Sequence, residues 1–279
     1  MAERRRSGPA RRRWSEIERE LRKERGPLIA GVDEVGRGPL AGPVVACAVI
    51  MPPGERAIRG VDDSKALSAA ERARLAPIIR ARALAVGVGA ASVREIDRLN
   101  IYHASTLAMR RALARLSVSP DHVLIDGKSI RSLIIPHTAV VHGDARCFSI
   151  ACASIIAKVT RDRLMRQLGE KYPTYRWGQN SGYATADHVA GLAAAGLTPH
   201  HRRSFMRIRQ LSLDFDAPVE PLAEFATALA ADTPGDSAEP CLPSWSDEFP
   251  TRADDPPPLG LDSLATPNVD RPERGLTSG

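Results

Sequence analysis

Leu28-Ile29-Ala30-Gly31-Val32 is a short apolar run that stops at two adjacent carboxylates, Asp33 and Glu34. The run reads as a buried strand. Acids at the rim of a buried strand are costly unless they are paired or hold a metal. Gly36-Arg37-Gly38 follows, then Gly42 with Pro39 and Pro43, a backbone built for turns. Glycine there lets the main chain approach a ligand closely, and the arginine offers a cation to phosphate. A second apolar run then resumes over 44–51. The stretch therefore demands a sheet with acids at its edge and points to metal and phosphate chemistry.

The rest of the chain supplies the sheet. Strands are expected at about 27–34 and 43–51, over the small apolar residues 84–91, at 122–126, and through 139–141 to an end at Gly143-Asp144. Ser68 with Glu71 is a capping box opening a helix to about Arg82. Ser92 caps a short helix with Glu95, and Asn100 starts another. A helix over 149–168 begins apolar or small on all sides, so it is buried at close range. A loop at 172–183 precedes helical segments at 184–195 and 200–212. Alternating strands and helices predict an α/β layer structure with a mixed sheet, antiparallel among its first three strands.

Charge divides the chain. The net charge is +6, but from Asp214 onward there are 14 acids against 3 arginines, so residues 1–213 carry +17. A body this basic favours a polyanion such as nucleic acid. Residues 1–26 form a basic, partly helical leader with Trp14, Ile17 and Leu21 at helical spacing. Residues 27–213 form the folded domain. Residues 214–279 hold eleven of the 22 prolines and read as an acidic, disordered tail with one short helix. The four cysteines form no CxxC pair, which argues against zinc and a disulfide framework and for a reducing cytoplasm. No apolar run reaches the length of a membrane span.

Three strand ends carry acids: Asp33-Glu34, Asp126 and Asp144. Four clustered carboxylates cannot all ionise without cations. Oxygen donors without His or Cys select Mg²⁺ or Mn²⁺. Two such ions can activate a water and stabilise the leaving oxygen of a phosphodiester. Asp162, with arginines on both sides, reads as a helix ion-pair member. Asp33 and Glu34 pose a geometric problem, because neighbours on a regular strand point to opposite faces. Both reach one site only if the strand twists or ends there.

The stretch from Gly31 to Val44 resembles the signature of bacterial ribonuclease HII, the type 2 ribonuclease H. Similar too are Asp63-Ser64-Lys65, Ile125-Asp126-Gly127, Gly143-Asp144 with the block 154–162, Ser181-Gly182-Tyr183-Ala184-Thr185, and His200, Arg202, Ser204 and Phe205. The likeness spans about 28–210. It implies a ribonuclease H-like mixed β-sheet flanked by helices, with a C-terminal helical portion. It implies hydrolysis of the RNA strand of RNA–DNA hybrids and incision at single ribonucleotides in duplex DNA, leaving 3′-hydroxyl and 5′-phosphate ends. Asp33, Glu34, Asp126 and Asp144 resemble the family's metal-binding acids. Gly36, Arg37 and Gly38 resemble its reader of the ribose 2′-hydroxyl, and Tyr183 the tyrosine that stacks on the neighbouring deoxyribose. Ser64 and Lys65 would contact the backbone phosphate. A cytoplasmic monomer is expected.

Two rivals share the fold. A catalytically idle hybrid-binding protein predicts the loss of at least one acid, and all four are present. The type 3 ribonuclease H carries a substantial N-terminal domain and lacks this glycine-arginine-glycine pattern, whereas about 26 residues precede the first strand here.

Overall fold

A computed structural model describes residues 16–54, 56–133 and 135–205. The expected tail at 214–279, the first 15 residues of the leader and the segment 206–213, with most of the helix expected at 200–212, lie outside them. Helix α1 (Glu16–Arg25) leads into strand β1 (Ile29–Val35), β2 (Val44–Ile50), helix α2 (Ala69–Arg82), β3 (Ala85–Ala91), α3 (Val93–Ala114), β4 (His122–Asp126) and β5 (His137–Val140). Then come α4 (Gly143–Arg146), α5 (Phe148–Lys171), a 3₁₀ turn (Pro173–Tyr175), α6 (Trp177–Asn180) and α7 (Ala186–Ala195).

The strands form one mixed sheet in the order β3-β2-β1-β4-β5. β1 pairs antiparallel with β2, and β2 with β3; β1 pairs parallel with β4, and β4 with β5. The turn at 36–43 joins β1 to its antiparallel neighbour β2, α2 lies in the connection from β2 to β3, α3 carries the chain from β3 across to β4, and the segment 127–136 leads on to β5. β2 is buried along its whole length, which is why Val44 to Ile50 shows no polar alternation.

Each face of the sheet has its own apolar layer. On one, Ala30, Val32, Val123 and Ile125 meet Ile96, Ala108, Met109 and Ala112 of α3. On the other, Cys47 and Val49 meet Leu75 and Ile79 of α2 and Ala151 to Ala157 of α5. A Cβ on Gly31 would lie 2.3 Å from the Ser149 carbonyl carbon, so β1 and α5 touch backbone to backbone there. Burying Ile150, Ile155 and Ile156 completely contributes about 1.5–3 kcal/mol each. Both capping boxes form, at Ser68 with Glu71 and at Ser92 with Glu95. At Asn100 (φ 68°) α3 kinks, and the Asn100 side chain accepts from the Tyr102 and His103 amides, recapping the second half.

α1 docks Ile17 and Leu21 onto Ile29, Leu124, Val140 and Ile150. Its Glu18 is buried and accepts hydrogen bonds from the Ser149 amide (2.8 Å) and hydroxyl (2.7 Å), in the first turn of α5. An acid at a helix N-terminus meets free amides and the positive end of the helix dipole.

Three sequence expectations change. β1 runs on to Val35, with Glu34 opposite Ala46 and Val35 opposite Val45, so it does not end at the acids. β5 stops at Val140; His142 turns left-handed (φ 54°), and Gly143-Asp144 opens α4 instead of ending a strand. Residues 200–205 form no helix. Their main chain pairs with the 40–42 segment: Gly42 donates to the His200 carbonyl, and Arg202 to the Leu40 carbonyl. No helix among the described residues is long and apolar enough to cross a membrane.

Candidate active site

The parallel β1–β4 register places Val32 beside Ile125, so the next residues, Asp33 and Asp126, lie level on neighbouring strands. Asp33 is buried, and its carboxyl accepts the Glu34 amide at 2.8 Å. Burial, then Glu34, then Asp126 push Asp33 well above the usual carboxylate range; Ser154 and the Glu34 amide oppose the shift. Asp126 accepts the Gly143 amide at 2.6 Å, which ties the end of β4 to the start of α4 and brings Asp144 in. Asp144 is raised by burial first, then by Asp126 and Asp63, with Lys65 opposing.

Strand alternation gives Asp33 and Glu34 opposite faces. The β1–β4 pairing stops at Val32, and Glu34 beyond it is largely covered, its side chain 12% exposed. Glu34 forms an ion pair with the exposed Arg37 (3.1 Å), and burial with the charge of Asp126 raises its carboxyl against that pairing. The four acids therefore share one electrostatic neighbourhood. Three of them, Asp33, Glu34 and Asp144, are held above their ordinary range, the signature of a site short of positive charge. Their all-oxygen donor set suits a hard divalent ion. Among the described residues no three His, Cys, Asp or Glu side chains enclose an ion by themselves.

The loop bearing Ser64 and Lys65 hangs from two helices. Arg72 of α2 donates to the Ser64 carbonyl (2.6 Å) and also to that of Leu67, and the Ser64 hydroxyl lies 2.7 Å from that of Ser154. Ser64 is thereby turned inward, while Lys65 stays exposed. Asp162 pairs with Lys158 at 2.9 Å.

Gly36 is buried with φ +91°, and its missing Cβ would fall 2.1 Å from Nε of Arg161. Gly38 is exposed; its nearest neighbour is the Tyr183 ring, with Cε1 3.6 Å from a built Cβ. Leu40 donates to the Gly182 carbonyl, so the 36–43 turn and the Tyr183 loop are stitched together. Below Tyr183, His188 hydrogen-bonds the Tyr183 carbonyl through Nδ1 (2.8 Å) and meets Trp177 and His201 through Nε2. His201 accepts the Thr198 amide on Nδ1, so its Nε2 carries the proton that points at His188. Burial drives His201 down to about 3, and His188 is lowered too. Both are neutral struts, not general bases.

Sequence reasoning missed Asp63, Ser154, Arg161, Arg202, His188 and Glu18. Asp63, Ser154, Arg161 and Arg202 lay inside the stretches that carry the family resemblance, but nothing in spacing showed which way they face.

A mixed sheet of this order, with acids near the C-terminal ends of its parallel strands β1 and β4, is the architecture of the ribonuclease H-like class. The family model described as Ribonuclease HII matches residues 30–209. The chain is 55% identical over 195 residues to a Granulibacter bethesdensis protein named Ribonuclease HII, covering 68% of this chain and 89% of that one. It is 57% identical over 187 residues to the Thiobacillus denitrificans protein of the same name, covering 67% and 91%. Ribonuclease H2 from Pyrococcus horikoshii superposes with a TM-score of 0.60 at 27% identity, covering 68% of this chain and all of that one. The chain belongs to the ribonuclease HII family, and it is an endoribonuclease of the ribonuclease H class that acts on RNA–DNA hybrids.

Proposed function

We propose that this enzyme incises duplex DNA at single embedded ribonucleotides as well as cutting the RNA strand of hybrids, leaving 3′-hydroxyl and 5′-phosphate ends. The observation that carries the reading is the group of Asp33, Glu34, Asp126 and Asp144, whose mutual repulsion and burial leave it short of cations. These acids would hold a pair of Mg²⁺ or Mn²⁺ ions, with substrate phosphate and water completing the oxygen ligands. Bound there, the ions supply an activated water and charge stabilisation for the leaving oxygen.

The chain's own groups do the selecting. Lys65 offers an exposed cation to the backbone phosphate, with Ser64 anchoring its loop. The Gly36–Gly38 main chain reads the 2′-hydroxyl, the group that separates RNA from DNA. Tyr183, facing Gly38, takes the deoxyribose next to it. The free, buried Cys47, Cys147 and Cys152 support a reducing compartment such as the cytoplasm.

The test is a nicking assay with the full chain, Mg²⁺ or Mn²⁺, and a duplex carrying one ribonucleotide. Asp33→Asn should lower kcat by about a thousandfold, roughly 4 kcal/mol of barrier. Equal activity of the variant would sink the assignment of the site.

A further inference from the structure

Arg161 and Arg202 are both completely buried beneath the 36–43 turn. Neither belongs to any ion pair found among the described residues. Their partners are main-chain carbonyls. Arg202 donates to Gly36 (2.5 Å), Arg37 (2.9 Å) and Gly42 (2.9 Å). Arg161 donates to Ala41 (3.1 Å), Pro43 (3.0 Å) and, across to the other loop, Ser181 (2.9 Å). Burial lowers Arg202 to about 9 and Arg161 to about 10, and both stay cationic at neutral pH. A buried cation without a direct ion pair is an expensive way to hold a turn. What arginine alone provides is a rigid fork that fixes three acceptors at once.

Peptide planarity converts that grip into aim. None of the described peptide bonds is cis. In a trans peptide the C=O and the following N–H point in opposite directions. Arg202 pulls the Gly36 and Arg37 carbonyls inward, so the amides of Arg37 and Gly38 point outward, side by side. No hydrogen-bond partner for either amide occurs among the described backbone contacts. Two adjacent outward amides make a small donor pair for a hydroxyl or phosphate oxygen. Arg161 joins the same turn to Ser181, two residues before Tyr183, and so sets the gap between Gly38 and the tyrosine ring.

We propose that Arg202 and Arg161 are the positioning residues for substrate selection. Arg202 aims the Arg37 and Gly38 amides at the 2′-hydroxyl, and Arg161 fixes their spacing to Tyr183. The ribose-to-deoxyribose step is selected by that spacing, without either arginine touching the substrate. The inference rests on the function proposed above.

Arg202→Lys and Arg161→Lys keep the charge but replace a three-point fork by a single point. In the full chain, kcat and KM are measured on a duplex with one ribonucleotide and on a continuous RNA–DNA hybrid. The ratio of kcat/KM values, junction over hybrid, should fall about tenfold or more in both variants, the scale of losing aim by a fraction of an ångström. An unchanged ratio, with both substrates slowed alike, would show a merely structural role and overturn the proposal. Amide exchange in the unaltered protein is the second measurement, independent of whether the variants fold. Arg37 and Gly38 should gain protection when the one-ribonucleotide duplex is added, and more than with an all-DNA duplex. Equal protection by the two duplexes also overturns it. Failure of the unaltered protein to nick the junction duplex would instead strike the proposed function.

Discussion

Gly36 and Gly38 stand two residues apart, and the structure assigns them different jobs that alanine separates. A methyl group on Gly36 would sit 2.1 Å from Nε, 2.5 Å from Cδ and 2.9 Å from Cζ of Arg161, on a backbone with φ +91°. The left-handed backbone alone costs about 1–2 kcal/mol for alanine. Forcing the methyl in displaces a buried side chain, typically about 1–3 kcal/mol. Arg161 then loosens its three carbonyl partners, where each charged hydrogen bond is worth about 1.5–3 kcal/mol. These contributions overlap, so the expected loss for Gly36→Ala is about 3–5 kcal/mol. At about 2–4 °C per kcal/mol for a domain of this size, Tm should fall by roughly 6–20 °C. Gly38 has no such neighbour: its built Cβ lies an ordinary 3.6 Å from Tyr183. Gly38→Ala should stay within about 0.5 kcal/mol of the unaltered protein. Its methyl intrudes on the sugar site, so nicking of the one-ribonucleotide duplex should drop about ten- to a hundredfold. Thermal unfolding followed by circular dichroism, paired with the nicking assay, reads both effects. If Gly38→Ala were the less stable variant, or Gly36→Ala kept its Tm, the division of labour argued here would be wrong.

Two further outcomes follow from the carboxylates. Asp33, Glu34 and Asp144 titrate above their ordinary range because of burial first and then the charge of neighbouring carboxylates, Asp126 among them in each case, so the folded chain holds their protons more tightly than the unfolded chain does. That stability is present at low pH and is lost as pH rises through the elevated values. Metal-free protein should therefore lose Tm across that window, Mg²⁺ should restore it at mildly alkaline pH, and Asp126→Asn should flatten the loss while abolishing nicking; a Tm indifferent to Mg²⁺ there contradicts the account. Glu18→Ala removes two charge-assisted hydrogen bonds in the first turn of α5 and should cost about 2–4 kcal/mol, read as a lower denaturant midpoint at unchanged slope.

Much of this was legible because the local signals agree with the fold. Ser68 with Glu71 and Ser92 with Glu95 cap their helices through contacts three residues long, which a sequence displays directly. The unbroken apolar run of β2 announces a strand buried on both faces. The β5 end was not legible, because only the left-handed turn at His142 and the Asp126–Gly143 hydrogen bond, across 17 residues, move Asp144 onto a helix. The turns of 200–205, with a single bridge at His201, likewise depend on pairing with residues about 160 positions earlier. The β1–β4 pairing stops at Val32, one residue before the acids, which is a fact of the partner strand and not of the acids themselves. Arg161 and Arg202 were invisible as a pair, since a chain this rich in arginine gives no sign of which two turn inward.

The Glu18–Ser149 contact joins residues 131 positions apart, and this has a consequence during synthesis. At about 5–20 residues per second, roughly 7–26 s pass between the emergence of Glu18 and that of its partner. β4, the parallel neighbour of β1, also arrives late, nearly a hundred residues after it. The ribosome thus releases the acid-bearing strand long before anything can cover its β4 edge. Through that interval Glu18 has its ion pair with Arg22 on α1 but not yet its two hydrogen-bond donors on α5, directly ahead of an apolar strand. A charged helix at that position keeps the nascent segment soluble while it waits, and becomes a clasp only once α5 has been made.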